Sequence, residues 1–383
     1  MSHAFEIAEY RARLRRVRAS MQAADLDCLV VTDPSNMGWL TGYDGWSFYV
    51  HQAVIVTHDA DPLWWGRQQD VAGARRTMWM PDDRAVGYAE HYIQTPLRHP
   101  MEDLARYLSG RVGVEMENYY YSAKAHAVLA DAGVTLVDAT ALVNWCRAVK
   151  SSAEIGYMRK AARISEAVVD GMAARIEPGV RKNDVVADAY RDAIRGVGDD
   201  WGDYPAIVPL VPSGADAAAP HLTWNGDRFE RGAATTIEIA GCYRRYHAPL
   251  CRSVFLGTPP DEMKRAEAAV IKGLEAGLDA ARAGNMARDV AAALNNALRN
   301  VGIERTARCG YPIGLSYPPD WGERTISFRA EDETVLEPNM TFHFMPGLWM
   351  DGWGLAITES IRITENGRAE CLCDRPRAMI VKP

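Results

Sequence analysis

Between residues 6 and 22 apolar side chains recur at helical spacing, with Ile7, Tyr10, Leu14, Val17 and Met21 on one face. The run Asp27-Cys28-Leu29-Val30-Val31 reads as a short buried strand, closed by Asp33-Pro34-Ser35-Asn36 as a turn. Further strands are expected at 52–57 and 111–115, and helices near 68–77 and 99–109. Strands alternating with helices make an α/β layer. Past Arg147 the pattern changes. Ser151 stands three residues ahead of Glu154, a capping-box pattern, and Ile155, Met158, Ala162, Ala167 and Met172 mark the inward face of a long helix. Helices at 182–196, 261–283 and 287–301 follow, with strands at 234–240, 243–256, 340–346 and 354–364. The expected organisation is an α/β N-terminal domain over 1–150 and an α+β domain over 151–383. Within the latter, 207–301 and 307–383 could be paired halves.

A chain of 383 residues is too long for one ordinary core, consistent with that division. Its 48% hydrophobic and 24% charged content is that of a globular protein. The net charge of -7 argues against a nucleic-acid partner, and no apolar run of about eighteen residues offers a membrane span. Cys28, Cys146, Cys242, Cys251, Cys309, Cys371 and Cys373 are odd in number and form no CxxC pair, so neither a disulfide framework nor a zinc site is indicated. The charged opening after Met1-Ser2-His3 lacks the pattern of a secretory signal, and a cytoplasmic location is expected.

Several segments, taken in order, carry a resemblance. They are the stretch from Arg147 through Lys150-Ser151 to Met158-Arg159-Lys160-Ala161-Ala162, then Pro220-His221, Thr236 to Gly241, and Tyr246 to Ser253. Gly310-Tyr311-Pro312-Ile313-Gly314-Leu315, Leu336-Glu337-Pro338, Pro346-Gly347 and Ile361 to Gly367 complete the set. The chain resembles the creatinase and aminopeptidase P family over nearly its whole length. That resemblance implies a creatinase-like N-terminal domain, a pita-bread catalytic domain and a homodimer. In the dimer the aromatic loop Gly42 to Tyr49, with Trp46, would reach the partner's active site.

Metallopeptidases of this family hold two divalent ions with two aspartates, a histidine and two glutamates. The matching positions here read Glu238, Pro249, Tyr311, Met345 and Thr358, with Glu359 adjacent to the last. Proline, tyrosine and methionine do not supply the oxygen or imidazole ligands such ions need, so neither a metal nor another cofactor is expected. Creatinase is the family's precedent for metal-free chemistry, and its catalytic histidine matches His221. The run Gly310 to Glu323 and the segment Phe342 to Trp349 are most similar to a branch that opens a cyclic amidine carrying a carboxylate.

A small zwitterion of that kind needs anionic acceptors and aromatic faces for its delocalised cation. Glu238 and Glu359 would provide the first. Tyr311, Tyr317, Trp321, Trp349 and Trp353 would provide the second, with His343 as a further contact. Arg252, Arg244 or Arg67 would take the carboxylate. His221 has the pKa range for moving a proton near neutral pH. Either a water activated by His221 or Glu238 attacks the amidinium carbon, or Glu238 attacks it directly. Each residue also has a plainer reading: His247 and His343 as satisfied packing groups, Cys251 as a small hydrophobe. A linear guanidino acid as substrate, or a solute-binding chain without turnover, are the competing functions.

Overall fold

In a computed structural model of the chain, residues 3–383 are described; Met1 and Ser2 lie outside them. The chain separates into two compact units, Met1–Arg147 and Ala148–Pro383, dividing three residues ahead of the break expected after Lys150.

In the first unit, β1 (Cys28–Val31), β2 (Ala53–Thr57), β3 (Leu63–Arg67), β4 (Ala85–Tyr88), β5 (Arg111–Val114) and β6 (Thr135–Asp138) form a sheet in the order β4-β3-β2-β1-β5-β6. β1 runs antiparallel to β2 and parallel to β5. Val30, Trp65, Tyr88, Leu104, Val112 and Leu129 build a core on this sheet. The stretch expected as a turn after β1 is instead the start of the helix Pro34–Thr41. Asp33 caps it, its side chain accepting from the Ser35 N–H at 2.7 Å, and proline occupies the first helical position, where its missing N–H costs nothing.

The second unit opens with the helix Ser152–Arg175, capped as its sequence predicts. The Ser151 hydroxyl accepts from the Glu154 N–H at 3.2 Å, and the Glu154 carboxylate accepts from the Ser151 N–H at 2.8 Å. A second oxygen of Glu154 accepts from the Tyr246 hydroxyl at 2.7 Å, tying the helix start to the sheet. β7 (Ala234–Tyr243) and β8 (Tyr246–Leu256) form a long antiparallel pair, with β15 (Ile380–Lys382) parallel to β8. One face of the pair, with Ile237, Ile239, Leu250 and Val254, packs on Ile164, Val168 and Met172 of the helix. Gly241 marks the closest approach: a Cβ there would stand 2.2 Å from the Ala161 carbonyl.

β9 (Gly310–Pro312), β10 (Thr341–Phe344), β13 (Glu359–Arg362) and β14 (Glu370–Cys371) form a second sheet in the order β14-β13-β10-β9. The single strand expected at 354–364 is two: β12 (Trp353–Ala356) folds back on β11 (Gly347–Met350), while β13 crosses to β10. The helices Asp261–Ala280 and Ala287–Arg299 cover a core that includes Phe342, Phe344 and Ile361.

Candidate active site

Strand alternation decides which side chains can meet. Glu238 lies opposite Cys251 in the β7–β8 register, and Ala240 lies opposite Pro249, so these four share the face turned away from the Ser152–Arg175 helix. In the second sheet His343 pairs with both Tyr311 and Ser360, which puts Thr358 on the same side.

A connected set of hydrogen bonds spans this region. The Trp321 indole N–H donates to the Tyr311 oxygen at 2.8 Å, and that oxygen lies 2.9 Å from His343 Nδ1. His343 Nε2 is 2.7 Å from Thr358 Oγ1, which also accepts from the Cys251 N–H at 2.9 Å. Counting donors fixes the polarity. Thr358 is fully buried and, among the described residues, its hydroxyl proton has no acceptor except His343, so threonine donates to Nε2. The ring then carries its proton on Nδ1 and donates to Tyr311. The Tyr311 oxygen accepts twice, and its own proton is left to point into the site. Burial holds His343 neutral, down at about 3, and pushes the Tyr311 phenol well above its ordinary range, with the Glu238 charge adding to the rise.

This arrangement yields a test. Tyr311→Phe removes the acceptor of two buried donors, so the variant should lose about 2 kcal/mol or more of stability. Urea melts of the two proteins measure it, and an unchanged midpoint would contradict the bonding just described.

Glu238 sits beside this network with no hydrogen bond to its carboxyl among the described residues. It is 8% exposed, and desolvation alone lifts it to about 7. A carboxylate poised there is ionised half the time at neutral pH and has oxygens free for a substrate cation or a water. Cys251 is fully buried and its thiol is held well above its ordinary range by burial and by Glu238, which leaves it unreactive. His247 is satisfied at both nitrogens, accepting from the Ala206 N–H at 2.9 Å and facing the Arg245 carbonyl at 2.9 Å.

Two expected site residues are turned elsewhere. Arg252 alternates with Cys251 and therefore lies on the helix-facing side of β8; Glu359 alternates with Thr358 in the same way. They bind each other at 2.7 Å with at most 1% side-chain exposure. The guanidinium also donates to the carbonyls of Cys251, Thr358, Pro376 and Arg375. Arg252 has no donor left for a substrate carboxylate, and Glu359 is a structural anion rather than a catalytic one. Of the other cations considered, Arg67 pairs with Glu90 in the first unit, and Arg244 lies over the Tyr157 ring.

The remaining expected residues are spread out. His221 is exposed on the connection between the short helix Gly214–Ala218 and β7, and its ring makes no hydrogen bond among the described residues. Tyr317 is buried, with the Arg245 guanidinium 5.4 Å above its ring. Trp349 and Trp353 sit half-buried on the β11–β12 hairpin, and Trp353 lines a cavity of about 290 Å³ with Gly214, Phe255 and Met263. Neither joins the hydrogen bonds around Tyr311. Trp46 belongs to the first unit, 58% exposed and 4.6 Å from the Phe48 ring. Sequence reasoning passed over Arg308, whose guanidinium lies 4.7 Å from the Tyr311 ring centre; its only mark is its place just ahead of Cys309-Gly310-Tyr311.

The positions that the resemblance matches to metallopeptidase ligands do not suit a pair of divalent ions here. Only Glu238 offers an anionic oxygen. Tyr311 and Thr358 are committed to His343, Pro249 has no donor atom, and Met345 has a soft thioether. No group of three His, Cys, Asp or Glu that could hold an ion occurs among the described residues.

Comparison with known proteins agrees with this architecture. Residues 156–365 match the model of metallopeptidase family M24, and residues 13–149 match the creatinase/prolidase N-terminal domain. The chain is 52% identical to an ectoine hydrolase of Halomonas elongata, over 99% of this chain and 98% of that protein. It is 42% identical to an uncharacterized hydrolase/peptidase of Sinorhizobium fredii over 99% and 98%. Among solved structures, a prolidase from Pyrococcus horikoshii superposes with a TM-score of 0.82 at 20% identity, covering 96% of this chain and all of that one. A dipeptidase from Mycobacterium ulcerans does so with 0.81 at 24%, covering 98% and 99%. The chain is therefore a hydrolase of the M24 family, built as a creatinase/prolidase N-terminal domain followed by a pita-bread catalytic domain.

Proposed function

We propose that this hydrolase opens the cyclic amidine ring of ectoine to N-acetyl-L-2,4-diaminobutyrate, without a metal ion. The observation that carries the reading is Glu238: a buried carboxyl near neutrality, free of partners, where metallopeptidases carry a ligand. The identity to the Halomonas elongata enzyme supports the substrate. An amidinium ring beside Glu238 satisfies the carboxylate and packs against Tyr311.

Hydrolysis adds water across the amidine carbon. The oxygen bonds to that carbon, one ring C–N bond breaks, and the departing nitrogen leaves as an amine with a proton it did not hold before. Glu238 either takes a proton from the attacking water, or bonds to the amidine carbon itself as one ring C–N bond breaks, giving a transient acyl imidate that water then cleaves to the amide and the free carboxylate. The outward-pointing Tyr311 hydroxyl donates to the nitrogen or oxygen that gains electron density. His221, exposed beside β7, supplies or relays the leaving-group proton once its loop meets the substrate. In the same reading the chain works in the cytoplasm as a homodimer, with the loop bearing Trp46 closing over the partner's site, and a deacetylase consumes the product.

Chelator-treated protein incubated with ectoine, followed by mass spectrometry, tests the proposal. Ring-opened product should form at an unchanged rate. Turnover restored only by manganese or cobalt, or cleavage of Xaa-Pro dipeptides, would overturn it.

A further inference from the structure

Arg308 is an exposed residue on the approach to β9, and its guanidinium lies over the Tyr311 ring. Among the described residues it has no carboxylate within ion-pair distance. Its one side-chain hydrogen bond is a long one, 3.5 Å to the Ser327 hydroxyl. Neighbouring arginines are committed. Arg305 donates to the carbonyls of Gly347, Ala307, Arg308 and Met345, and Arg252 is locked to Glu359. Arg308 is thus a cation held at the edge of the site by a ring that belongs to the site, with its fork of N–H groups left for an anion.

Its charge is felt inside. Arg308 opposes Glu238 at the Tyr311 hydroxyl, and it helps keep His343 uncharged. The two ionic groups therefore act on one phenol with opposite sign, so the Tyr311 ring lies in a field with a negative end at Glu238 and a positive end at Arg308. A plain cation gains at one end and loses at the other. A zwitterion with its cation and anion on adjoining atoms of one ring gains at both.

We infer that Arg308 binds the carboxylate of the substrate, through a two-pronged hydrogen bond made while its plane rests on Tyr311. The inference rests on the proposed zwitterionic substrate and fixes its direction, with the amidine towards Glu238 and the carboxylate towards the β9 approach. Planar guanidinium is the group suited to that grip; a lysine at the same place supplies charge without the fork.

The test compares ectoine with the same tetrahydropyrimidine ring lacking its carboxylate, in wild type, Arg308→Ala and Arg308→Lys. Turnover is read for ectoine, and binding of both compounds is read from tryptophan fluorescence. Loss of a hydrogen-bonded charge pair predicts that Arg308→Ala weakens ectoine binding about 10–100-fold, chiefly in KM. The lysine variant should recover part of it, and the decarboxylated ring should lose at least about tenfold less than ectoine. Equal losses on both compounds, or an unchanged KM for ectoine, would overturn the assignment. Wild-type protein that neither binds nor turns over ectoine would instead sink the proposed substrate, and the two failures are distinct.

Discussion

Glu238→Gln should lower kcat/KM for ectoine by about 10³-fold or more and, at the same time, make the protein more stable above neutral pH. Both effects come from one buried carboxyl. Its pKa of about 7 in the folded chain exceeds the ordinary 4.5 because desolvation disfavours the charged form. Below the ordinary value the group is protonated folded or unfolded, and it costs nothing. Between 4.5 and 7 the unfolded chain ionises more readily than the folded one, so stability falls as pH rises. Above 7 the whole penalty is present, about 3 kcal/mol for a shift of this size. Glutamine carries no such penalty. Urea melts at pH 5 and pH 8 should show the wild type losing more stability than the variant across that interval. In the wild type kcat/KM should rise as pH climbs through about 7, where the carboxylate forms, and any residual activity of the variant should lack that limb. Full turnover by a folded variant would remove Glu238 from the chemistry. A variant with wild-type pH dependence of stability would remove it from the linkage.

The second large effect lies away from the reacting groups. Lys150 and Glu323 form an ion pair of 2.5 Å with side chains 1% exposed, and Lys150 also donates to the Ala148 carbonyl at 3.2 Å. Gly314 makes the room: a Cβ there would stand 2.3 Å from the Glu323 carboxylate. The pair pins the segment that carries Tyr311 and Trp321 to the chain just ahead of the Ser152–Arg175 helix. Lys150→Met takes the ammonium away from a buried carboxylate and should cost about 3–5 kcal/mol. The double variant Lys150→Met, Glu323→Leu removes both charges and should recover most of that loss. Urea midpoints of the three proteins decide the matter. A single-variant loss under about 1 kcal/mol, or a double variant no better than the single, would show that the charge is not what is buried at a cost.

What could be read from the chain depends on the range of the signal. Local chemistry was legible: the Ser151–Glu154 cap is written in four residues and forms as written. The Asp33-Pro34 pair was misread because a helix start and a turn use the same residues; only the side-chain bond to Ser35 separates them. Within the site, the place of Glu238 among apolar neighbours marked it as unusual. Arg252 and Glu359 were misassigned for a common reason. Each alternates with a residue that faces the site, Cys251 and Thr358, and one step along a strand reverses the face. That reversal is visible in a sequence only when the register against the neighbouring strand is known. The hydrogen bonds among Trp321, Tyr311, His343 and Thr358 join residues up to 32 positions apart, and no spacing rule announces them. Arg308 follows no periodicity at all, since it sits in a loop.

The polarity of that hydrogen-bonded string bears on how protons travel. It begins at a backbone amide and at an indole, donors that do not ionise to any useful extent at a pH where the protein is folded. A relay needs every member to accept from one side and release on the other, so this one cannot conduct. It behaves as a poled insulator, presenting a fixed phenol O–H to whatever lies beside Glu238 while keeping the interior from exchanging charge with it. The hydrogen that the departing nitrogen acquires therefore does not pass along this string; it comes from the attacking water by way of Glu238, or from His221.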